Sequence, residues 1–177
     1  WGSSPDLRDA ASAFAMADIN IYDGAHLDLI TSHFSSHELL YSQTTSGTLS
    51  HNEVWYGTVN VTGNIIVPYG INLIIAPAVT VNFSTGTDLT VSGDLYVMGT
   101  STNPVVLQSA TSAPNDWYGI YFNNGSIGYL RCCEINGSEN MITVESGADV
   151  TMCDDNEITL QPGFTVELGG EFYAYVD

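Results

Sequence analysis

Four oxygen-bearing side chains near the N-terminus have the types and spacing of a cation-binding loop. They are Asp18, Asn20, Asp23 and Asp28. Calcium prefers about six to eight oxygen ligands, which a flexible loop can supply. The same residue types also form hydrogen-bonded turns between strands. We therefore predict a calcium site here, with a polar turn as the alternative.

A pair of histidines suggests zinc at first sight. His33 and His37 lie four residues apart, and Glu38 follows them. Zinc proteases carry a glutamate inside a helical His-Glu-x-x-His motif, whereas Phe-Ser-Ser separates these two histidines. The apolar residues on both sides favour strands, in which side chains four residues apart are about 13 Å apart. No zinc site is predicted.

Three acids near the C-terminus are the best candidates for polysaccharide cleavage: Asp154, Asp155 and Glu157. Glycoside hydrolysis needs two carboxylates held about 5–10 Å apart across the sugar. Lyase chemistry would need a basic residue, and Arg131 is the only one after residue 48. A solvated acidic turn is the simpler interpretation, so we predict that the protein is not an enzyme.

The chain has three cysteines, Cys132, Cys133 and Cys153. Because the number is odd, disulfides within the chain would leave at least one thiol unpaired. About twenty residues separate the adjacent pair from Cys153, a spacing that resembles one coil of a solenoid. A disulfide between neighbouring coils is therefore one prediction. Burial of all three as small apolar side chains is the alternative.

Four Asn-x-Ser/Thr motifs permit N-glycosylation in a secreted protein, at Asn60, Asn82, Asn124 and Asn136. Because the chain is rich in serine and threonine, several such motifs are expected by chance. Aromatic residues in two Trp-Tyr-Gly motifs, which begin at Trp55 and Trp117, could stack on sugars. The repeated context favours tryptophans that pack at the corners of the core.

The charge of the chain limits its partners and its location. Two basic residues face 20 acidic ones, which gives a formal net charge of −18. Binding to nucleic acid depends on cations that displace phosphate counterions, so it is excluded. Insertion into a membrane is not expected, because no run of about 18 apolar residues exists. An acidic, lysine-free composition favours an extracellular or cell-surface location.

Short apolar alternations separated by Gly, Pro and Asn turns fill the chain from residue 57 onward. A two-residue period places alternate side chains on one face of a strand. Segments recur, because Ile-Ala-Pro-Ala-Val-Thr-Val at 75–81 is matched by Leu-Gln-Pro-Gly-Phe-Thr-Val at 160–166. Leu73 and Leu89 begin successive strands and suggest the length of the repeat. Such repetition predicts a solenoid, and a β-sandwich is the alternative.

The order of the turn motifs supports a specific solenoid. Trp55-Tyr56-Gly57, Val67-Pro68-Tyr69-Gly70, Leu89 to Thr100 and Trp117-Tyr118-Gly119 follow one another in register. With residues 158–174, they resemble right-handed parallel β-helix modules of secreted bacterial surface proteins. Ala78 departs from that pattern, because the modules have glycine after the proline. The resemblance implies an all-β, right-handed parallel β-helix over residues 49–177.

The segment before the solenoid has a different pattern. Asp18-Ile19-Asn20, Asp23-Gly24 and Leu27-Asp28-Leu29 resemble one blade of an FG-GAP or VCBS propeller, with stretched spacing. The resemblance implies a β-rich N-terminal segment over residues 1–48. One blade cannot close a propeller, so the segment either packs on the β-helix as a cap or derives from a longer precursor.

The absence of a polar cap after Phe172 leads to a functional prediction. A solenoid end exposes unpaired strand edges, which proteins cover or pair with another chain. We predict an extracellular structural protein that assembles with itself, head to tail, into a filament or surface layer. In that assembly the N-terminal segment would contribute strands to a neighbour. A carbohydrate-binding adhesin module on surface glycans is the alternative, and a polysaccharide-active enzyme is the least favoured.

Overall fold

The computed structural model describes residues 7–40, 44–154 and 164–176, without the side chain of Arg8. Two helices precede a long series of short strands. The helices are α1 Leu7–Tyr22 and α2 Leu27–Ser36. The strands are β1 Thr44–Thr48, β2 Glu53–Trp55, β3 Thr58–Val67, β4 Asn72–Ile75, β5 Thr80–Phe83, β6 Asp88–Val91, β7 Asp94–Met98, β8 Val105–Ser109, β9 Gly119–Phe122, β10 Ile127–Arg131, β11 Cys133–Asn136, β12 Ile142–Val144, β13 Asp149–Asp154, β14 Phe164–Val166 and β15 Glu171–Val176.

Every strand pairs in parallel with the strand one coil away, which makes the molecule a parallel β-solenoid. Strand β3 serves two faces, because its first half pairs with β5 and its second half pairs with β6. The first face contains the start of β3 with β5, β8 and β11. The second face contains the end of β3 with β6, β9, β12 and β14. The third face contains β2, β4, β7, β10, β13 and β15. The predicted β-solenoid is confirmed.

Strand pairing on the third face defines the length of a regular coil. Leu73 pairs with Leu95, and Val150 pairs with Phe172, so both coils carry the chain the same distance in sequence. The shorter interval between Leu73 and Leu89 is therefore not a coil, since β4 and β6 belong to different faces. Between Leu95 and Gly128 the coil is longer, because segment 110–118 is inserted before β9.

A single carboxylate organises that inserted segment. Asp116 accepts hydrogen bonds from the hydroxyl groups of Ser109, Thr85 and Thr111. These bonds, with that of Ser109 the largest contributor, lower the pKa of Asp116 below its ordinary range. The insertion is thus tied to both the strand before it and the preceding coil.

Inward-facing side chains form continuous apolar rows through the solenoid, and the two tryptophans belong to this core. Trp55 and Trp117 are 1% and 0% exposed. Trp117 stacks on Phe83 with ring centroids 4.0 Å apart, and its indole N–H donates to the Asn136 carbonyl. The prediction that the tryptophans pack in the core is confirmed.

The predicted β-rich N-terminal segment is wrong, since residues 7–22 and 27–36 are helical. Ala11, Ala15 and Ile19 recur at the four-residue spacing of one helix face, and all three are buried. Alanine is also the strongest helix former. The acids that resemble a loop of a propeller blade do not form one loop. Asp18 lies in α1, Asp23 follows α1, and Asp28 lies in α2. The strand stack itself begins at β1, slightly before the predicted boundary at residue 49.

The departure at Ala78 has a structural consequence. Ala78 adopts a φ of 59°, the left-handed region in which glycine is favoured. The turn between β4 and β5 therefore keeps its shape despite the missing glycine.

None of the helices that the structure describes is long and apolar enough to cross a membrane.

Candidate binding and assembly surfaces

The two helices, here called the helical hairpin, pack on the outer surface of the third face. Their inward side chains form a second apolar cluster with outward-facing residues of the sheet. The sheet contributes Val54 of β2, Ile74 of β4 and Met98 of β7, all at most 2% exposed. The hairpin therefore covers the first coils of its own third face. The two helices supply no strands, so a contribution of strands from this segment to a neighbour stays a prediction that could involve only its other residues, such as β1.

The turn between the helices is closed by a buried carboxylate. Asp18 is 6% exposed and accepts from the backbone N–H of His26 at 3.0 Å. Its other carboxylate oxygen lies 2.8 Å from Nδ1 of the same histidine. Asp18 thus serves to fold the hairpin, because a buried carboxylate needs such partners.

Arg131 ties the hairpin to the solenoid. Its Nη1 donates to the carbonyl oxygen of Asp23 at 2.7 Å and to the Asp23 carboxylate at 2.9 Å. Its Nε donates to the carbonyl of Gly99 at 3.0 Å. The Arg131 side chain is only 14% exposed. The single basic residue of the solenoid is therefore a structural anchor, and its placement does not indicate lyase chemistry.

The structure does not bring the four predicted calcium ligands together. Asp18 and Asp23 have the partners described above, Asn20 is exposed, and Asp28 accepts from the Asn103 amide at 3.3 Å. In the described part of the chain, no group of three or more His, Cys, Asp or Glu could hold a metal. Calcium binding at these residues stays a prediction, and it would require Asp18 and Asp23 to exchange their present partners for the metal.

The histidine pair lies in a different element from the one expected. His33 belongs to α2 and His37 follows its last turn, so the prediction of strands there is wrong. The physical reason is the same as for α1: Leu27 and Thr31 form a buried stripe at helical spacing.

The cysteines meet where two coils join. The backbone N–H of Cys132 donates to the carbonyl of Cys153 at 3.1 Å, so the predicted one-coil spacing is correct. All three are present as thiols and not as disulfides. Burial, followed by the neighbouring sulfur and carboxylate groups, raises the pKa of Cys133 to about 12. A disulfide between the coils stays a prediction.

Only one of the three candidate catalytic acids can be placed. Asp154 ends β13, whereas Asp155 and Glu157 lie outside the described residues.

Two of the four glycosylation motifs form part of an amide ladder on the first face. Asn82 donates to Asn60 at 3.1 Å, and Gln108 donates to Asn82 at 3.0 Å, one residue from each coil. Asn136 continues the same row opposite Gln108. Asn124 lies at another corner and donates to the Ser146 carbonyl at 2.7 Å. In the folded chain these amides serve as structural hydrogen-bonding groups, and their glycosylation stays a prediction.

A groove that the sequence did not reveal runs beside the helical hairpin. It has a volume of about 230 Å³ and lies between the end of α1 and the outer surface of β7, β10 and β13. Tyr96 and Tyr129, which are neighbours in register, form its floor. The alternation of β7 and β10 marks both tyrosines as outward-facing, but it does not indicate that a helix forms a wall beside them.

The last coil that the structure describes is largely exposed. This C-terminal coil consists of β14, β15 and the turn between them at 167–170. Among the described strands, β15 pairs only with β13, and β14 pairs only with β12. Leu168 is 99% exposed and Val176 is 52% exposed. The coil therefore combines unpaired backbone groups with exposed apolar side chains.

The first coil is built differently. This N-terminal coil consists of β1, β2 and the turn between them at 49–52, and its inward residues Leu49 and Trp55 are 5% and 1% exposed. Glu53 occupies the inward row that continues through Leu73, and it accepts from the indole N–H of Trp55 at 2.9 Å. The hydrogen-bonded pair closes this end of the core.

Comparison with known proteins adds no assignment: no family model, no curated protein and no solved structure matches the chain.

Proposed function

We propose that the protein is an extracellular structural subunit that self-associates through its C-terminal coil, as a building unit of a filament or surface layer. The observation that carries the proposal is the outer edge of β15, which has no partner strand among the described residues, in the same coil as the exposed Leu168 and Val176. An exposed strand edge is a template for pairing with another chain. A second copy offers the outer edge of β2, which pairs only with β4 among the described strands, so head-to-tail pairing would satisfy both edges.

The exposed side chains make this edge different from a protected one. Proteins usually guard edge strands with lysine, proline or a bulge. Strand β15 has none of these, and its sequence Glu-Phe-Tyr-Ala-Tyr-Val is rich in residues that favour strands. The coil thus lacks lysine, proline and a bulge within its described residues, and Glu171 is the one charged residue of β15.

The charge of the chain makes this assembly depend on salt and acidity. Copies that each carry −18 repel one another, and salt shortens the range of that repulsion to about 8 Å at physiological ionic strength. Association is therefore expected to strengthen as salt or acidity increases. The acidic, lysine-free composition, and not the ionic strength, is what supports the extracellular part of the proposal.

The decisive experiment is sedimentation velocity over a wide range of protein and salt concentrations, together with electron microscopy. We expect oligomers or filaments whose mass increases with both concentrations. A particle that stays monomeric throughout would overturn the proposal.

A matched pair of variants locates the contact. Leu168→Lys places a charge in the exposed turn before β15 and should weaken association by about tenfold or more, because a buried, unpaired lysine is costly. Tyr69→Lys changes an 86% exposed residue at the same corner of an internal coil, and should leave association unchanged. Equal weakening by both variants would show that charge, and not the C-terminal coil, controls assembly.

A further inference from the structure

The groove beside the helical hairpin has two kinds of wall. On one side, Ile19 and Asp23 come from the last turn of α1 and the residue after it. On the other side, Ile127 and Asp149 come from the first positions of β10 and β13. Each wall therefore combines one apolar side chain with one carboxylate.

The floor is aromatic. Tyr96 and Tyr129 occupy one outward row, so their backbones are about 4.8 Å apart along the solenoid axis. The row continues through Thr151, which also lines the groove, and then through Tyr173 of β15. Beside it, the row that holds Ile127 and Asp149 continues to Glu171. The surface is thus a strip in which phenol rings lie next to carboxylates.

The charge in this strip is not balanced by the protein. Arg131 is the only cation that the solenoid supplies, and it is already bound to Asp23 and to two carbonyl groups. Within the described residues, the Asp149 carboxylate makes no hydrogen bond and no ion pair. After the larger effect of the hydrogen bond to Glu171, its negative charge helps to raise the pKa of Tyr173. With a chain charge of −18, the groove attracts cations.

We infer that this groove binds a basic polypeptide segment, with lysine or arginine side chains seated between the tyrosine floor and Asp149. Ammonium and guanidinium groups are attracted to the faces of aromatic rings. Their methylene stems fit the apolar parts of both walls, Ile19 and Ile127. An anionic glycan would be repelled, and a neutral glycan would gain nothing from the unbalanced charge. This inference is independent of the C-terminal coil and of self-association.

Isothermal titration with a blocked peptide of alternating lysine and glycine tests the inference at physiological salt. A peptide with glutamine in place of lysine and a neutral cello-oligosaccharide are the comparison ligands. We expect heat from the lysine peptide and none from the other two. Equal binding of the glutamine peptide, or binding of the oligosaccharide alone, would overturn the assignment of a cationic ligand.

Two charge-matched variants separate this groove from general electrostatic attraction. Asp149→Asn should weaken binding of the lysine peptide roughly two- to fivefold, as expected for one exposed ion pair. Glu134→Gln removes the same charge from the exposed first face and should leave affinity unchanged. Equal weakening by both variants would show non-specific attraction and overturn the site.

A third variant tests the aromatic floor. Tyr96→Leu keeps apolar contact with the helical hairpin but removes the ring, so it should weaken peptide binding several-fold. Thermal unfolding confirms that the variant is folded. Unchanged affinity in a folded Tyr96→Leu protein would overturn the proposed role of the tyrosine floor.

Discussion

The N-terminal and C-terminal coils close the same solenoid in opposite ways. At the N-terminal coil, Glu53 and Trp55 fill the core and are 8% and 1% exposed. At the C-terminal coil, Phe164 and Phe172 meet edge to face with centroids 4.5 Å apart, but both are only partly buried. The inward side chains are therefore well buried at the N-terminal coil and only partly buried at the C-terminal coil, although parallel strands form both.

This difference shows that strand pairing alone does not cover the core at the ends of a solenoid. Among the described strands, those at each end pair on one side only, β2 with β4 and β15 with β13. The two ends differ in their inward side chains. At the N-terminal coil, the hydrogen-bonded pair of Trp55 and Glu53 covers the apolar rows of the core. In a head-to-tail contact, the exposed C-terminal coil would therefore gain more from a second chain than the already closed N-terminal coil that it meets.

Aromatic truncation at each end should give the largest contrast. Trp55→Ala removes a fully buried ring and should destabilise the fold by about 3–5 kcal/mol. Phe172→Ala should cost only about 1–2 kcal/mol, because a half-buried ring loses part of the transfer free energy. Urea unfolding of both variants provides the measurement. Similar losses would show that the C-terminal coil is as well packed as the N-terminal coil.

Two glycines at equivalent turns, one in an internal coil and one in the C-terminal coil, allow a second comparison of stability. Gly70 and Gly169 precede β4 and β15 with φ values of 79° and 91°. Alanine in this region costs about 1–2 kcal/mol, so Gly70→Ala should lower the Tm by roughly 2–8 °C. Gly169→Ala should lower it less, since an end that unfolds locally before the rest does not transmit its strain to the global transition. Calorimetry that gave equal shifts would contradict early fraying.

The solenoid could be predicted from the sequence because its signal is local. Alternation such as Leu95-Tyr96-Val97 specifies which side chains face inward, and parallel stacking then repeats that pattern. The face on which a strand lies was not predictable in this way. Trp55 ends a strand of the third face and Trp117 precedes a strand of the second, although both begin the same Trp-Tyr-Gly motif.

The helical hairpin and the groove could not be predicted for a different reason. Polar residues at 18–28 suggest a metal-binding turn, and the helical period of Ala11, Ala15 and Ile19 is a weaker signal beside them. The groove depends on contact between that hairpin and β10, which is distant in the chain. Such contacts require the tertiary structure, because Asp23 and Arg131 have no shared local pattern.

The smallest and most specific effect concerns Glu53 at the closed end. Burial raises the pKa of Glu53 above its ordinary range, and the hydrogen bond from Trp55 and the charge of His51 oppose this only in part. The folded chain then binds the proton more tightly than the unfolded chain. The contribution of Glu53 to the free energy of unfolding is therefore fully present below the ordinary glutamate pKa of about 4.3, and it is lost as the pH rises through the raised value.

Glu53→Gln removes this penalty but keeps an acceptor for the Trp55 indole. Its Tm should exceed that of the unchanged protein at neutral pH, and the difference should vanish in acid. Glu167→Gln removes the same charge from the exposed turn of the C-terminal coil, so the contrast between the two variants isolates burial from overall repulsion. If both variants followed the same pH profile, the carboxylate at the N-terminal end would be hydrated, and the two ends of the solenoid would be closed to a similar degree.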